Sequence, residues 1–448
     1  MYIHPNHMSK LTDPRIPAGF MELLPQEQIV FNGLLDTIRR TYELYGFAPI
    51  ETPAIEFAEV LLAKAGGETE KQLYRFTRGD NDLCLRFDLT VPLARYVAAH
   101  QHQLVFPFKR YQIQKVWRAE RPQKGRLREF YQCDIDIVGS ASTLADAEVV
   151  GVINAVFNNL GLNRFTVRIS NRKILTGFLA SLGLVDLAAD ILRLVDKMEK
   201  QDHASLSAEM GALGVDSAAV EKIFAFVALK GSPNSVIAEL RSLGIDNELF
   251  ATGVDELETT TRGIAQLGVP DENYQVDLTI ARGLDYYTGT VYETVLHDYP
   301  GIGSVCSGGR YDNLTGFYTD AVLPGVGISI GLTRLFDQLR AAGLYNETKP
   351  TPAKVLVAQV GPDFTAESLK VASAFRAQGI STETSLEETS LGKQLKYANR
   401  LQVPFVAIIG MQEAGGGEIV LKNMETAEQS VVTVEEATTF IKKPGICK

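Results

Sequence analysis

The chain has 448 residues and a formal charge of −10. That length is too great for one compact core and predicts two or three domains, while the acidity excludes a generally basic coat for nucleic acid, so any RNA contact must come from local patches. Apolar content is near average, and no run of about 18 apolar residues exists, so no transmembrane helix is expected.

The first residues, "MYIHPNHMSK", lack an apolar stretch followed by a small-residue cleavage site, so no secretion signal is expected; residues 1–14 are read as a tail without assigned function. From Gln26 to Leu44, Ile29, Leu34, Ile38 and Tyr42 recur at helical spacing. "GFAPIETPAIE" follows, a Pro-punctuated extended segment suited to a sheet edge. Strands are expected at "LCLRFDLT", "FKRYQIQKVWRAE", "REFYQCDIDIVG" and "FTVRIS". From about 173 to 263 the chain is rich in Leu, Ala, Glu and Lys at helical spacing and reads as a helical insertion between two halves of a mostly β domain. Strand signals return at "YQVDLTIARG" and "GTVYETVL", then a Gly-rich tract, then a helix through "GLTRLFDQLRAAGL".

"YNETKPTP" reads as a linker, placed at 346–352 between a domain over 15–345 and one over 353–448. Beyond it, strand and helix alternate at a pitch that predicts a small α/β domain with a largely parallel sheet. The four cysteines stand far apart without a Cys-x-x-Cys pair, which argues against a zinc ribbon and fits a reducing cytoplasm. His100 and His102 are read as a surface helix end rather than a metal site.

Residues 109–136, "KRYQIQKVWRAERPQKGRLREFYQCDID", gather eight basic side chains and one acidic one between Lys109 and Arg128, and Asp134 and Asp136 follow. "ERPQKGR" is a Pro- and Gly-containing connection, so the stretch predicts an antiparallel hairpin. Alternation puts Arg110, Gln112, Gln114, Val116, Arg118 and Glu120 on one face, with Phe130, Gln132, Asp134 and Asp136 from the second arm. That face is read with arginine at one end and carboxylates at the other. A plain solvated face is one account of it. The other is a site that grips phosphate and amine together: Arg forks suit phosphate oxygens, carboxylates suit an ammonium, and Phe130 suits stacking on a base. No P-loop and no G-x-G-x-x-G follows a strand, so side chains would have to hold any ATP.

"VWRAERPQKGRLREFYQCDIDIVG" resembles motif 2 of the class II aminoacyl-tRNA synthetases, in their histidyl form. "ARGLDYYTGTVYE" and "CSGGRYDNL" resemble the two histidyl signature segments, "GVGISIGLTRL" resembles motif 3, and "YGFAPIETPAIE" stands where motif 1 stands. The resemblance runs from about Arg15 to about Lys443. It implies an α+β catalytic core, an antiparallel sheet flanked by helices, carrying the helical insertion and followed by a C-terminal α/β anticodon-binding domain.

The activity implied is joining L-histidine to tRNA(His) with ATP and Mg²⁺, by a homodimer with motif 1 at its interface. By resemblance, Arg118 meets the ATP α-phosphate and the histidine carboxylate, Glu120 the adenine amino group, and Arg126 the γ-phosphate. Phe130 and Arg334 sandwich adenine. Asp88, Thr90, Gln132 and Asp136 bind the histidine amine and ring, Tyr286 and Tyr287 close the imidazole pocket, and Arg282 is the histidyl-specific catalytic arginine. No dedicated protein metal ligands are expected. Asp88 and Leu89 depart from the family's "RPEGT", where Glu and Gly stand, and the acidic role is expected to persist at Asp88.

Taken alone, "ARGLDYYTG" reads first as a strand leading into a turn with Tyr286 and Tyr287 as core aromatics, and "SGGRYD" fits a plain turn, because Gly-Gly permits positive φ, or a close approach of substrate. "SLGKQLKYANRL" reads as a helix capped by Ser390, with Lys393, Lys396 and Arg400 on one basic face, open to solvent or to tRNA phosphate. Two other readings are weighed: the histidine-binding regulatory subunit of ATP phosphoribosyltransferase, and a tRNA-sensing module fused to a kinase. Arg282, the full "RAERPQKGR" loop and the C-terminal domain speak against the first, and the lack of a kinase motif against the second.

Overall fold

The structure is a computed structural model that describes residues 12–63, 70–121, 125–198, 201–280, 287–345, 349–410 and 417–442. The described residues form two compact units: one joins the chain up to Met21 with Leu34–Leu344, and the other joins Glu22–Gly33 with the chain from Tyr345 onward.

In the first unit, helix α1 (Pro25–Leu44), whose first turns belong to the other unit, leads to edge strand β1 (Ala48–Pro49). Its Ile38 and Tyr42 are buried as their spacing predicts, whereas Ile29 is exposed. A three-stranded sheet, β2 (Ile55–Phe57), β3 (Arg75–Arg78) and β4 (Asn81–Leu85) in the order β2-β4-β3, carries α2 (Ala58–Leu62). The strand expected through "LCLRFDLT" ends at Leu85, and Thr90 already opens α3 (Thr90–His100), because Asp88 Oδ1 accepts the Val91 N–H and starts the helix there.

The main sheet follows: β5 (Phe108–Trp117), β6 (Glu129–Val138), α4 (Thr143–Asn159) and β7 (Phe165–Asn171). Next come α5 (Arg172–Ser181), α6 (Ala188–Val195), α7 (His203–Ala212), α8 (Ser217–Val227), the two-residue β8 (Lys230–Gly231), α9 (Pro233–Ser242) and α10 (Glu248–Gln266). Strands β9 (Tyr274–Asp277), β10 (Thr290–Leu296), β11 (Ser304–Tyr311) and β12 (Gly325–Gly331) complete the sheet before α11 (Leu332–Ala341). The order is β1-β5-β6-β12-β11-β10-β7-β9-β8, antiparallel except at β1–β5 and β7–β9.

The helical segment is built from capped pieces: the side chains of Asn171, Asp202, Asp216 and Asn247 each accept a backbone N–H at a helix start. Its first and last helices touch backbone to backbone. A Cβ on Gly177 of α5 would lie 2.5 Å from Phe250 N, and one on Gly253 of α10 would lie 2.7 Å from Ile174 N.

In the second unit, β13 (Val355–Gln359), α12 (Thr365–Ala377), β14 (Thr382–Thr384), α13 (Leu391–Arg400), β15 (Phe405–Ile409), β16 (Glu418–Asn423), β17 (Gln429–Thr433) and α14 (Val434–Ile441) give a sheet ordered β14-β13-β15-β16-β17. Only its first half is parallel, contrary to the largely parallel sheet expected. Helical crossovers return the chain in the same direction, whereas β15, β16 and β17 pair antiparallel with no helix between them among the described residues. Both faces are covered: Val355, Val357 and Phe405 pack with Phe375 and Ile441, and Leu356, Val406 and Ile408 pack with Ala398. That explains the unbroken apolar runs of β13 and β15.

Alanine is the better helix former by about 1 kcal/mol, but a backbone atom at that range cannot give way, and overpacking costs about 1–3 kcal/mol. Gly177→Ala is therefore expected to lower the unfolding midpoint of the first unit in urea; an unchanged or raised midpoint would mean that α5 and α10 separate freely.

Candidate active site

Strands β5 and β6 pair over ten positions, from Phe108 opposite Val138 to Trp117 opposite Glu129. This is the expected hairpin, and its even-numbered side chains share one face. That face is not solvated: Arg110 and Gln112 are fully buried, and Asp134 and Asp136 are nearly so. The pairing also corrects the expected separation of charges, since Arg110 stands directly opposite Asp136 and Gln112 opposite Asp134. The cation sits among the carboxylates, because in an antiparallel hairpin the start of one arm meets the end of the other.

Above this floor lies a cavity of about 450 Å³, within the range of small-molecule sites. Ten residues expected at the site line it: Asp88, Thr90, Arg118, Glu120, Arg126, Phe130, Gln132, Asp136, Tyr287 and Arg334. Arg282 and Tyr286 lie outside the described residues.

At one end the Arg118 guanidinium lies 5.1 Å from the Phe130 ring centroid, held by a bond from Nε to Phe87 O (3.1 Å). No carboxylate pairs with it among the described residues, so its remaining donors can meet an anion. Arg126 Nη1 is 3.2 Å from Glu120 Oε2 at the mouth. Thr333 Oγ1 accepts the Tyr131 N–H, which pins the start of α11 to β6, and Arg334 Nη2 donates to Ile302 O (2.5 Å).

Buried acids line the cavity as well: Asp134 and Asp136 farther along the hairpin, and Asp88 next to the Phe87 that Arg118 bonds. Burial pushes Asp88 and Asp136 up to about 6 and Asp134 up to about 7, and the nearby Arg110 charge opposes each rise. Asp88 Oδ2, Gln132 Oε1 and Asp134 Oδ1 are buried acceptors without a hydrogen-bond donor among the described residues. Buried acceptors left unpaired are costly, and a small ligand rich in N–H groups would satisfy them.

Strands β11 and β12 form the wall. Gly327 stands opposite Asp136, where a Cβ would come within 2.2 Å of Asp136 Oδ1. A Cβ on Gly308 would meet Gly327 O at 2.1 Å. "SGGRYD" is thus strand, not the plain turn allowed for it, and its glycines let neighbouring strands close over the acid cluster. The two residues after them are anchors: Arg310 binds buried Asp146 through both carboxylate oxygens, and Tyr311 Oη donates to Asp136 Oδ1 (2.7 Å).

Asp134, Tyr311, Ser329 and Glu293 also line the cavity and were not singled out as site residues. Asp134 was legible in the alternation of β6; the others depended on which strands become neighbours. In the second unit, Lys393, Lys396 and Arg400 share the exposed face of α13, opposite buried Gln394 and Ala398. Ser390 holds the N-cap position, but its side chain makes no capping bond; its carbonyl receives Lys393 N and Gln394 N instead.

Asp134 titrates in the folded state well above the ordinary carboxylate range, so its contribution favours the fold at low pH and is lost as pH rises through about 7. Asp134→Asn is expected to raise Tm more at pH 8 than at pH 5. A difference in Tm that is flat in pH, or reversed, would mean that this carboxylate ionises without penalty.

The family described as "Histidyl-tRNA synthetase" matches residues 19–335, and that described as "Anticodon binding domain" matches residues 354–444. The histidine–tRNA ligase of Clostridium tetani (strain Massachusetts / E88) is 53% identical over 96% of this chain and 99% of its own. That of Stenotrophomonas maltophilia (strain K279a) is 46% identical over 94% of this chain and 96% of its own. The crystal structure of histidyl-tRNA synthetase from Nostoc sp. PCC 7120 shares 42% identity, covers 96% of this chain and 99% of that one, and superposes with a TM-score of 0.89. An ATP phosphoribosyltransferase regulatory subunit/histidyl-tRNA synthetase from Bacillus halodurans C shares the fold at 23% identity, with a TM-score of 0.76. The chain belongs to the histidyl-tRNA synthetase family.

Proposed function

We propose that the protein is a histidine–tRNA ligase: it activates L-histidine with ATP to histidyl-adenylate and pyrophosphate, then passes histidine to the 3′ end of tRNA(His). The observation that carries the reading is one cavity that holds buried Asp134 and Asp136 toward one end of the hairpin and Arg118 on Phe130 toward the other. The high identity and end-to-end coverage of the ligases favour this over the regulatory-subunit reading, which fold alone supports.

In the proposed mechanism a histidine carboxylate oxygen attacks the α-phosphorus of ATP and pyrophosphate leaves. A carboxylate is already ionised at neutral pH and needs no general base. What the step needs is alignment and relief of charge on the phosphoryl oxygens. Arg118 supplies charge at the α-phosphate, and Arg282 is assigned there with it. Arg126 takes the γ-phosphate, while Phe130 and Arg334 hold adenine, with Glu120 at its amino group. Asp88, Thr90, Gln132 and Asp136 hold the histidine amine and ring, with Tyr286 and Tyr287 closing the pocket. Mg²⁺ carried on the ATP phosphates would neutralise their charge, held by the phosphates themselves rather than by dedicated protein ligands. In the second step the terminal ribose hydroxyl of tRNA attacks the adenylate carbonyl and AMP leaves.

The domain over 353–448 is assigned to tRNA, with Lys393, Lys396 and Arg400 contacting phosphate. A homodimer is proposed through residues 45–56, whose strand β1 is the edge of the main sheet. No helix among the described residues is long and apolar enough to cross a membrane, and the protein is assigned to the cytoplasm.

Pyrophosphate exchange into ATP, with each amino acid supplied in turn and no tRNA, tests the first step. Exchange with histidine alone is expected; none from folded protein that still binds histidine would favour the regulatory reading. Arg118→Ala and Arg282→Ala should each lose most exchange, by a factor of about 100 or more. Replacing Lys393, Lys396 and Arg400 by Glu should raise the KM for tRNA and leave exchange unchanged; equal losses in both assays would remove that helix from tRNA binding.

A further inference from the structure

Arg110 is fully buried in β5, yet it is absent from the cavity wall. Its Nη2 lies 2.5 Å from Asp136 Oδ2, while none of its three nitrogens makes a well-directed hydrogen bond among the described residues. The contact is therefore one of charge. Asp136 does line the cavity, and its other oxygen accepts the Tyr311 hydroxyl. The carboxylate is thus gripped from two strands, by a cation on β5 and a phenol on β11, while β12 offers only Gly327 against it.

Buried ion pairs are weak evidence for stability, since apolar replacements often serve as well. This pair has a different situation: one member faces the cavity and the other stands behind it. Among the described residues the other charged and titratable groups nearby include Asp88 ahead of α3, Asp134 on β6, Tyr42 on α1 and Tyr287 beside Tyr311, with Arg118 acting on Asp88. Three buried carboxylates so close together push one another toward the neutral form. Arg110 is the buried cation that all three feel.

We infer that Arg110 is a positioning residue for the amino-acid end of the cavity, holding Asp136 ionised and in one orientation so that it can accept the N–H groups of histidine. This rests on the functional reading above. Arg110 touches no substrate; it acts through Asp136. Its removal weakens histidine and spares ATP, which binds at the Arg118 end.

The test is pyrophosphate exchange by the full-length protein over pH 5.5 to 8.5, with every variant compared to wild type at the same pH so that the ionisations of histidine cancel. Arg110→Gln is expected to raise the histidine KM by about tenfold or more, the equivalent of one pKa unit. The acid limb of kcat/KM for histidine should move up by about one pH unit, and the ATP KM should hold. Arg110→Lys should restore most of the loss. In the Asp136→Asn background, adding Arg110→Gln should cost little further, because partners that act as one unit are non-additive. If Arg110→Gln alone does not fold, the double variant decides: a histidine KM equal to that of Asp136→Asn supports the proposal, and a much higher one overturns it. Equal damage to both substrates, or an unmoved acid limb, also overturns it. Wild-type protein that exchanges with no amino acid would sink the functional reading instead. The pair is then judged by melting alone: Arg110→Gln should lose Tm as pH rises from 5 to 8, and added Asp136→Asn should restore it.

Discussion

The buried charge cluster under β5 and β6 is the constraint around which the first unit is arranged. Asp88, Asp134 and Asp136 are withdrawn from water, with Arg110 the fully buried cation set among them. Desolvating a carboxylate is expensive, so each neighbouring element either offsets that expense or stays out of the way. Tyr311 donates to Asp136, the start of α3 donates to Asp88, and Gly327 leaves room for the Asp136 oxygens. Acids held this way can meet a cationic, N–H-rich ligand without reorganising, which is the physical meaning of a preorganised site.

The same sheet solves the opposite problem at its other end. Arg118 is anchored through one nitrogen and rests on an aromatic face, so its charge is oriented without being cancelled. Asp134 and Asp136 with Arg110, and a guanidinium that no carboxylate pairs among the described residues, lie on one face of one hairpin. The hairpin therefore separates amine recognition from phosphate recognition by distance along two strands. The helices from α5 to α10 and the second unit each have packing of their own, as in the glycine-mediated approach of α5 to α10 and the two-sided packing of β13 and β15.

Much of this was legible in the residues. The hairpin, its polar face, the helical stretch after β7 and the change of grammar at the linker follow from periodicity and turn residues, which are local properties. The family motifs named ten of the cavity's residues. Local patterns could not say whether the polar face meets water or protein, since a buried and a solvated polar face alternate identically. They misjudged the second sheet for a related reason: strand direction depends on the connections, and the pattern of each strand is indifferent to it.

The sequence by itself determined the hairpin, the side chains that share its face, and the family. Only the tertiary structure decided that Arg110 meets Asp136, that Tyr311 reaches the same carboxylate across 175 positions of chain, and that "SGGRYD" is a wall rather than a turn. Those facts come from strand neighbours distant in sequence, β6 beside β12 and β12 beside β11. Periodicity fixes which face a side chain takes; the order of strands in the sheet fixes what that face meets.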